Sequence, residues 1–443
     1  MCVPSGERTL SLPISRRTIL AAPFFIRNLL SAPPSGQVRL ASFGAGGMAF
    51  VTLDVLARHP KIKVACVAEV DSAKLDQLKA KYPDARVYQD WRVMLAKERH
   101  NIDAVCVGTP DHMHAPMAMS AMRLGLPVYQ QKPMAHSIYE VRKLTAFARH
   151  KNLITQMGIQ IHSNKEYRSA VEIIRGGAIG KVKEVHSWSE KKWGDTDPLP
   201  SRTDPVPATL NWDDWIGVAQ PRPFISDVFH PLNWRKRIDF GTATFGDMGC
   251  HILDPVFAAL GLAAPLSVRS EGPAPNRESW ALDSVIHYVF PATPYTDGPT
   301  LPLTWYDGDA RPSQEVQSLA GDRKLPGQGS LFIGTKGLML LPHVAAPILL
   351  PENQFRDFPM PALEVVSHYD QFVDAVLGTG KTSAGFDYAG PLTEAVLLGP
   401  LATRFPKTTL TWNSAGMRFT DAPDANQYVR TSYREGWKVK GLD

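Results

Sequence analysis

Cysteine is scarce in this sequence. Four in 443 residues cannot build a disulfide framework. Cys66, Cys106 and Cys250 stand in apolar or glycine-rich surroundings and read as buried thiols. Long apolar runs are missing as well. No segment approaches the roughly 20 apolar residues that a spanning helix needs, so no stable membrane span is expected. A strong excess of one charge is also absent. With 48 Lys and Arg against 43 Asp and Glu, the net charge of +5 is too small and dispersed to suggest nucleic-acid binding. No repeat recurs at solenoid or propeller periods, and no metal site is read. What remains is ordinary for a globular protein: 44% hydrophobic and 21% charged, in a chain long enough for two domains.

The small positive charge is unevenly placed. Arg8, Arg16, Arg17 and Arg27 face only Glu7 within residues 1–35, a local +3. Ser15-Arg16-Arg17-Thr18-Ile19-Leu20 precedes a short apolar run broken by Pro23 and Arg27. Paired arginines ahead of such a run resemble a twin-arginine export signal, which predicts cleavage within 31–36 and a periplasmic or otherwise exported protein. If the leader does not function, the protein stays cytoplasmic. Few disulfides suit a protein that folds before export.

Residues 36–157 alternate strand and helix. Val38–Phe43 is an apolar run ending at glycines. Further β-rich runs follow at Ile62–Ala68, 103–107 and 128–129. Helical spacing appears at 48–57, 115–124 and 141–149, and Ser137 with Glu140 forms a capping box. The alternation predicts a doubly wound parallel sheet, an α/β fold. A helix is expected from Ser163, capped with Glu166, to Gly176-Gly177. Residues 158–443 read as an α+β domain with a large open, mainly antiparallel sheet. Its β-like runs lie at 182–188, 284–290, 331–333 and 337–341. Two proline-rich stretches, 197–223 and 291–312, are expected as irregular loops, which are often functional. Helices are expected at 364–377 and 390–404, and a tail bearing Tyr428, Tyr433 and Trp437 is expected to pack back on the body.

Gly44-Ala45-Gly46-Gly47-Met48-Ala49 is a G-x-G-x-x-A sequence between a strand and a helix, the context a dinucleotide fingerprint requires. Gly44 allows the tight turn, and Gly46 lets backbone approach a pyrophosphate at the helix N-terminus. Glu69 ends the second strand. A carboxylate there binds the adenosine ribose and repels a 2′-phosphate, so NAD is expected rather than NADP. Asp71 competes for that role.

Three further clusters lie downstream. Thr109-Pro110-Asp111-His112-Met113-His114 and Gln130-Gln131-Lys132-Pro133 each follow a parallel strand, where doubly wound sheets bind ligands. Asp247 and His251 sit at i and i+4 and share a face if helical. In these residues the sequence resembles the glucose–fructose oxidoreductase, inositol dehydrogenase and rhizopine catabolism family, Gfo/Idh/MocA. Thr109-Pro110 with His114 is similar to its Thr-Pro-x-x-x-His segment, Gln131-Lys132-Pro133 stands for its Glu-Lys-Pro, and Asp247-x-x-x-His251 matches its Asp-x-x-x-His. The resemblance implies that Lys132 holds the substrate oxygen and stabilises charge on it. It implies His251 as general base and Asp247 as the group that orients or charge-pairs with it. Gly47, Met48, Thr109, Pro110, His114, Gln131 and Lys132 itself join the cofactor contacts. Gln131 departs from the motif by bringing no negative charge near Lys132. His112 is expected at the surface or behind the site.

For substrate, His230, Asn233, Trp234 and Arg235 gather polar groups and an aromatic ring suited to a sugar, with Gln160, His162 and Tyr167 as further candidates. The same loop reads equally well as one whose tryptophan packs into the core. The expected function is hydride transfer at a secondary hydroxyl of a sugar, polyol or glycoside, with tightly held NAD and a second substrate to reset it. Two alternatives are an NAD-dependent glycoside hydrolase working by transient oxidation and elimination, and a non-catalytic dinucleotide-binding sensor. A homodimer or homotetramer through the second domain's sheet is expected.

Overall fold

The computed structural model describes residues 36–443, so the leader expected at 1–35 lies outside the described residues. The first sheet contains β1 (Val38–Phe43), β2 (Ile62–Ala68), β3 (Arg86–Tyr88), β4 (Ala104–Val107), β5 (Val128–Gln130) and β6 (Thr155–Met157). All pairings are parallel, in the order β3-β2-β1-β4-β5-β6. That is the doubly wound arrangement, with its switch point between β1 and β4. β4 is fully buried, as a strand covered on both faces must be. The capping box forms as expected at the helix Ile138–Lys151: Ser137 N–H donates to Glu140 Oε2 at 2.9 Å and Glu140 N–H to Ser137 Oγ at 3.4 Å.

The next helix starts later than expected. It runs Lys165–Arg175, and its N-cap is Asn164, whose side chain accepts from Glu166 N–H at 2.9 Å. Ser163 instead lies in the preceding 3₁₀ turn, where its hydroxyl meets Gln371 Oε1 and His368 Nδ1, each at 3.0 Å. A tertiary partner outcompetes the local cap.

The second sheet runs β13-β12-β11-β7-β10-β9-β8-β14-β15. These strands are β7 (Val182–Ser189), β8 (Ser267–Ser270), β9 (Val285–Pro291), β10 (Thr300–Asp307), β11 (Gln328–Gly334), β12 (Leu338–Pro342), β13 (Ile348–Leu350), β14 (Thr409–Asn413) and β15 (Arg418–Phe419). It is antiparallel except where β7 and β10 pair in parallel. The second proline-rich stretch is therefore not an irregular loop throughout, because β10 crosses the middle of the sheet within it. Pro302 is exposed and pairs only with β9, since pairing with β7 begins at Leu303, so it sits where one side of the strand is a free edge that tolerates proline. Trp188, Trp305 and Tyr288 are fully buried on this sheet, each contributing roughly 1.5–3 kcal/mol or more by burial.

The helix Phe386–Ala402 is apolar nearly all round and buried along most of its length, the signature of a core helix. It packs on both Ile138–Lys151 and Ala243–Ile252 and so joins the two halves. Its one buried acid, Glu394, is held by Arg142 Nη2 at 2.8 Å and Trp412 Nε1 at 2.9 Å. The C-terminal tail lies against the first sheet's helices. Tyr433 donates to Glu140 Oε1 at 2.5 Å, and Trp437 sits under the guanidinium of Arg92 at 4.1 Å. Among the described residues no helix is long and apolar enough to cross a membrane, and no three potential ligands gather as a metal site.

Candidate active site

A cavity of about 810 Å³ opens at the carboxyl ends of β1 and β4 and runs toward the second sheet. Its first end is made of backbone. Gly44 has φ +99°, a left-handed conformation that favours glycine. A Cβ on Gly108 would fall 2.7 Å from Ala49 Cα, and one on Gly44 would fall 2.9 Å from Ala49 Cβ. These contacts let the helix Met48–Leu56 approach the sheet closely and leave a smooth cradle. The cradle fits the pyrophosphate of a dinucleotide, with Gly46, Gly47 and Met48 lining it.

Glu69 also lines this end. Its carboxylate accepts from Ala45 N–H at 2.7 Å and Asp71 N–H at 3.0 Å, and burial raises its pKa. Asp71 does not line the cavity. It caps the turn at 72–74 and faces His230 Nε2 at 3.3 Å. Thr109, Pro110 and His114 line the middle, where His114 is buried with Thr109 O at 2.8 Å and Pro133 O at 2.7 Å from its two ring nitrogens. Gln131 lines the same wall, its amide donating to Thr52 Oγ1 at 2.7 Å.

The other end is made of side chains. The helix Ala243–Ile252 presents Asp247 and His251 to the cavity, as the i, i+4 spacing implies. It is tied to the Thr109 segment by Thr242 Oγ1, which donates to Asp111 Oδ2 at 2.7 Å. Lys132 Nζ donates to Asp247 Oδ1 at 2.6 Å and to its backbone carbonyl at 2.7 Å. Trp193 Nε1 donates to Asp247 Oδ2 at 2.8 Å, and Arg235 Nε reaches Oδ1 at 3.4 Å. Burial opposes ionisation of Asp247, but Lys132 and Arg235 outweigh it and hold the carboxyl well below the usual range. The expected partnership is thus corrected: Asp247 pairs with Lys132, not His251.

His251 is half-buried, and its Nδ1, shielded from solvent, has no partner among the described residues. Burial, then Lys132, push its pKa well below the usual histidine value, so the ring is neutral. His343, 6.0 Å away ring to ring, is pushed down to about 4 by burial and by Lys191 and Lys132.

Gln160, His230, Trp234 and Arg235 line the cavity, and Gln160 Oε1 is a second buried atom without a partner. Trp234 also belongs to a core cluster with Trp215, Phe229 and Phe240, so both readings of that loop hold in part. Three candidates do not reach the cavity. His162 bonds Asp254 Oδ1 at 2.8 Å beneath Tyr388. Tyr167 is buried and meets His343 Nδ1 at 2.8 Å, touching the site through that ring. Asn233 is turned to Asp227 O. Of the two places expected for His112 the structure has the second: it is buried behind the cavity against Trp215 and Phe240, and burial lowers its pKa to about 3.

Sequence reading missed Lys191, Trp193, Trp215, Gln328 and His343, all of which line the cavity. Lys191 and Trp193 lie two and four residues past the end of β7, and His343 follows directly on β12. Polar or aromatic residues at those strand ends were the available signal.

Residues 197–240 leave the second half and strap across the first. Ser72 N–H donates to Thr209 O at 2.8 Å, Asn211 N–H to Val70 O at 2.9 Å, and Arg92 to Asp214 Oδ1 at 2.8 Å. Trp215, His230, Pro231 and Leu232 thereby close over the cavity.

Residues 38–159 match the model of an oxidoreductase family's NAD-binding Rossmann fold, and residues 179–439 match the same family's C-terminal alpha/beta domain. An inositol 2-dehydrogenase of Rubrobacter xylanophilus is 25% identical over 156 residues, 35% of this chain and 44% of that protein. A glycosyl hydrolase family 109 protein of Shewanella baltica is 24% identical over 162 residues, 34% of this chain and 35% of that protein. The chain spans less than half the length of these curated relatives. The solved scyllo-inositol dehydrogenase of Lactobacillus casei, with bound NAD(H) and scyllo-inositol, superposes with TM-score 0.54 at 18% identity, covering 85% of this chain and 99% of that one. With both family domains matched in order over most of its length, the chain belongs to the Gfo/Idh/MocA oxidoreductase family, and residues 38–159 are that family's NAD-binding Rossmann domain.

Proposed function

We propose that the protein transfers hydride at a secondary hydroxyl of a sugar, polyol or glycoside. The observation that carries this reading is the Lys132–Asp247 pair beside neutral His251, in the same cavity as the glycine cradle. NAD, when bound, supplies the hydride acceptor. Lys132 spends two of its three ammonium protons on Asp247, leaving one donor for the substrate oxygen. Asp247 keeps that ammonium in place beside the reacting oxygen. As the C–H bond breaks, the hydroxyl proton passes to His251, which is available because it is uncharged. His251 Nδ1 and Gln160 Oε1, both buried and unpartnered, suit a ligand rich in hydroxyls.

The strap at 197–240 supports tight cofactor retention and alternation of two substrates on one bound NAD. Releasing and identifying the cofactor, then screening sugars and glycosides for a change in its absorbance, tests the reading. A protein that purifies without NAD(H) and binds it weakly would sink the retention claim. If Lys132→Ala and His251→Ala both left turnover intact, the catalytic roles given to these two residues would fail, whereas bound NAD(H) with no turnover of any sugar or glycoside would select the sensor.

Glycoside cleavage by transient oxidation is a second reading, favoured by the match to a glycosyl hydrolase family 109 protein. Release of aglycone from aryl glycosides without net NADH would select it. Export through a twin-arginine leader belongs to the proposal and is checked by fractionation of cells carrying Arg16→Lys with Arg17→Lys. Association through the nine-stranded sheet as a dimer or tetramer is checked by light scattering.

A further inference from the structure

At the substrate end of the cavity, positive charge outnumbers negative. Lys132, Lys191 and Arg235 line it with Asp247 as the ionised carboxylate. The remaining acids lie elsewhere: Glu69 is in the glycine end, and buried Asp111, its pKa raised by burial, is bonded to Thr242. Asp247 is already engaged by Lys132 and Trp193. Arg235 touches it only through Nε, at 3.4 Å. Its two terminal nitrogens have no hydrogen-bond partner among the described residues, while its guanidinium lies 4.3 Å from the Trp234 ring centroid and 5.4 Å from that of Trp193. A guanidinium held between indoles with its outer fork free is preorganised for a carboxylate or phosphate, which it takes through two parallel bonds.

Lys191 is likewise uncompensated. Its neighbour Lys192 pairs with Asp309 at 2.6 Å, whereas Lys191 has no carboxylate partner among the described residues. Its backbone is pinned, with N–H to Ser189 Oγ at 3.3 Å and the carbonyl accepting from Thr244 Oγ1 and Gly308 N–H, both at 3.2 Å. The side chain therefore projects from a fixed point, close enough for its charge to act on both His251 and His343. Cations gathered in a cleft raise the local concentration of anions and select for them.

We propose that the substrate is an anionic sugar, whose carboxylate or phosphate is gripped by Arg235 and Lys191 while Lys132 and His251 meet the reacting hydroxyl. This rests on the oxidoreductase reading and deepens it. The test uses NAD-loaded protein and matched pairs: glucose with glucuronate, galactose with galacturonate, mannose with mannuronate, and glucose with glucose 6-phosphate. Binding by calorimetry and kcat/KM from cofactor absorbance are measured for each.

At least one anionic member is expected to exceed its neutral partner about tenfold or more, and added salt should shrink that ratio. Lys191→Met, at an exposed side chain, should lower the ratio about tenfold. Arg235→Lys should raise KM for the anion more than it lowers kcat, since a point charge cannot replace the fork. Preference for glucuronate-type acids or for the phosphate identifies which anion is used, and either upholds the proposal. No preference in any pair, no binding by any sugar, or a ratio unmoved in both variants overturns it. Turnover of neutral sugars without anionic preference would defeat this inference alone. Selective anion binding with no redox change in any pair would defeat the oxidoreductase reading alone.

Discussion

The two ends of the cavity are built from different materials. The glycine end is backbone, shaped by what Gly44 and Gly108 lack, and its key residues lie in the first βα turn and at the ends of β2 and β4, all within the first sheet. The substrate end is side chains, drawn together from positions as far apart as Lys132 and Asp247, 115 residues along the chain. The first end is damaged by adding atoms and the second by removing charges. A site of the first kind is written locally; one of the second kind exists only after folding.

Lys132→Ala is the strongest test of that division. It removes the hydroxyl-facing ammonium and should lower kcat about 10²–10⁴-fold, while NAD content per protein stays as in the wild type. Gly108→Ala should do the reverse. Its methyl has no room against Ala49 backbone, so overpacking should cost roughly 1–3 kcal/mol, seen as a lower Tm and substoichiometric cofactor. If Lys132→Ala loses cofactor while Gly108→Ala retains it, the division is wrong.

The two ends should also respond to acid with opposite signs. His343 titrates near 4 when folded and near 6.5 when unfolded. Below pH 6.5 the unfolded chain takes a proton the folded protein refuses, so stability is lost as pH falls from about 6.5 to 4. His112, pushed to about 3 beneath the strap, adds to the same fall. Glu69, its pKa raised by burial, works the other way: it burdens the fold when ionised and is relieved as acid protonates it. Unfolding free energies from urea titrations should fall between pH 7 and 4 by of order 1 kcal/mol per histidine. The slope should flatten in His343→Gln and steepen in Glu69→Gln. The smallest effect is expected for Asp71→Asn, which loosens the strap's contact with His230. An ion pair of this kind contributes about 0–1 kcal/mol, so cofactor release should quicken only a few-fold by stopped-flow displacement.

Legibility in the sequence followed the same division. The parallel sheet, the fingerprint, the capping box and the shared face of Asp247 and His251 could be read because each rests on spacing along a short segment. The short strands β3 and β6 carry too few residues to show a period. β10 was hidden by the prolines around it. Trp193 and His343 offered only their places near strand ends, since nothing near them in sequence says what faces them across the cavity. The same limit misplaced the partner of Asp247, which depends on a lysine from the other half of the chain, and put His162 in the site when Asp254 holds it elsewhere.

The strap also sets an order of assembly. Ser72 pairs with a residue 137 positions later. The cover over the glycine end is thus supplied by chain that emerges long after the first sheet is complete. During synthesis, the first sheet can exist for the time needed to add those residues, with its fingerprint formed and its pocket still open on one side. NAD that enters then meets an open cradle, and the later arrival of 209–240 closes the door behind it.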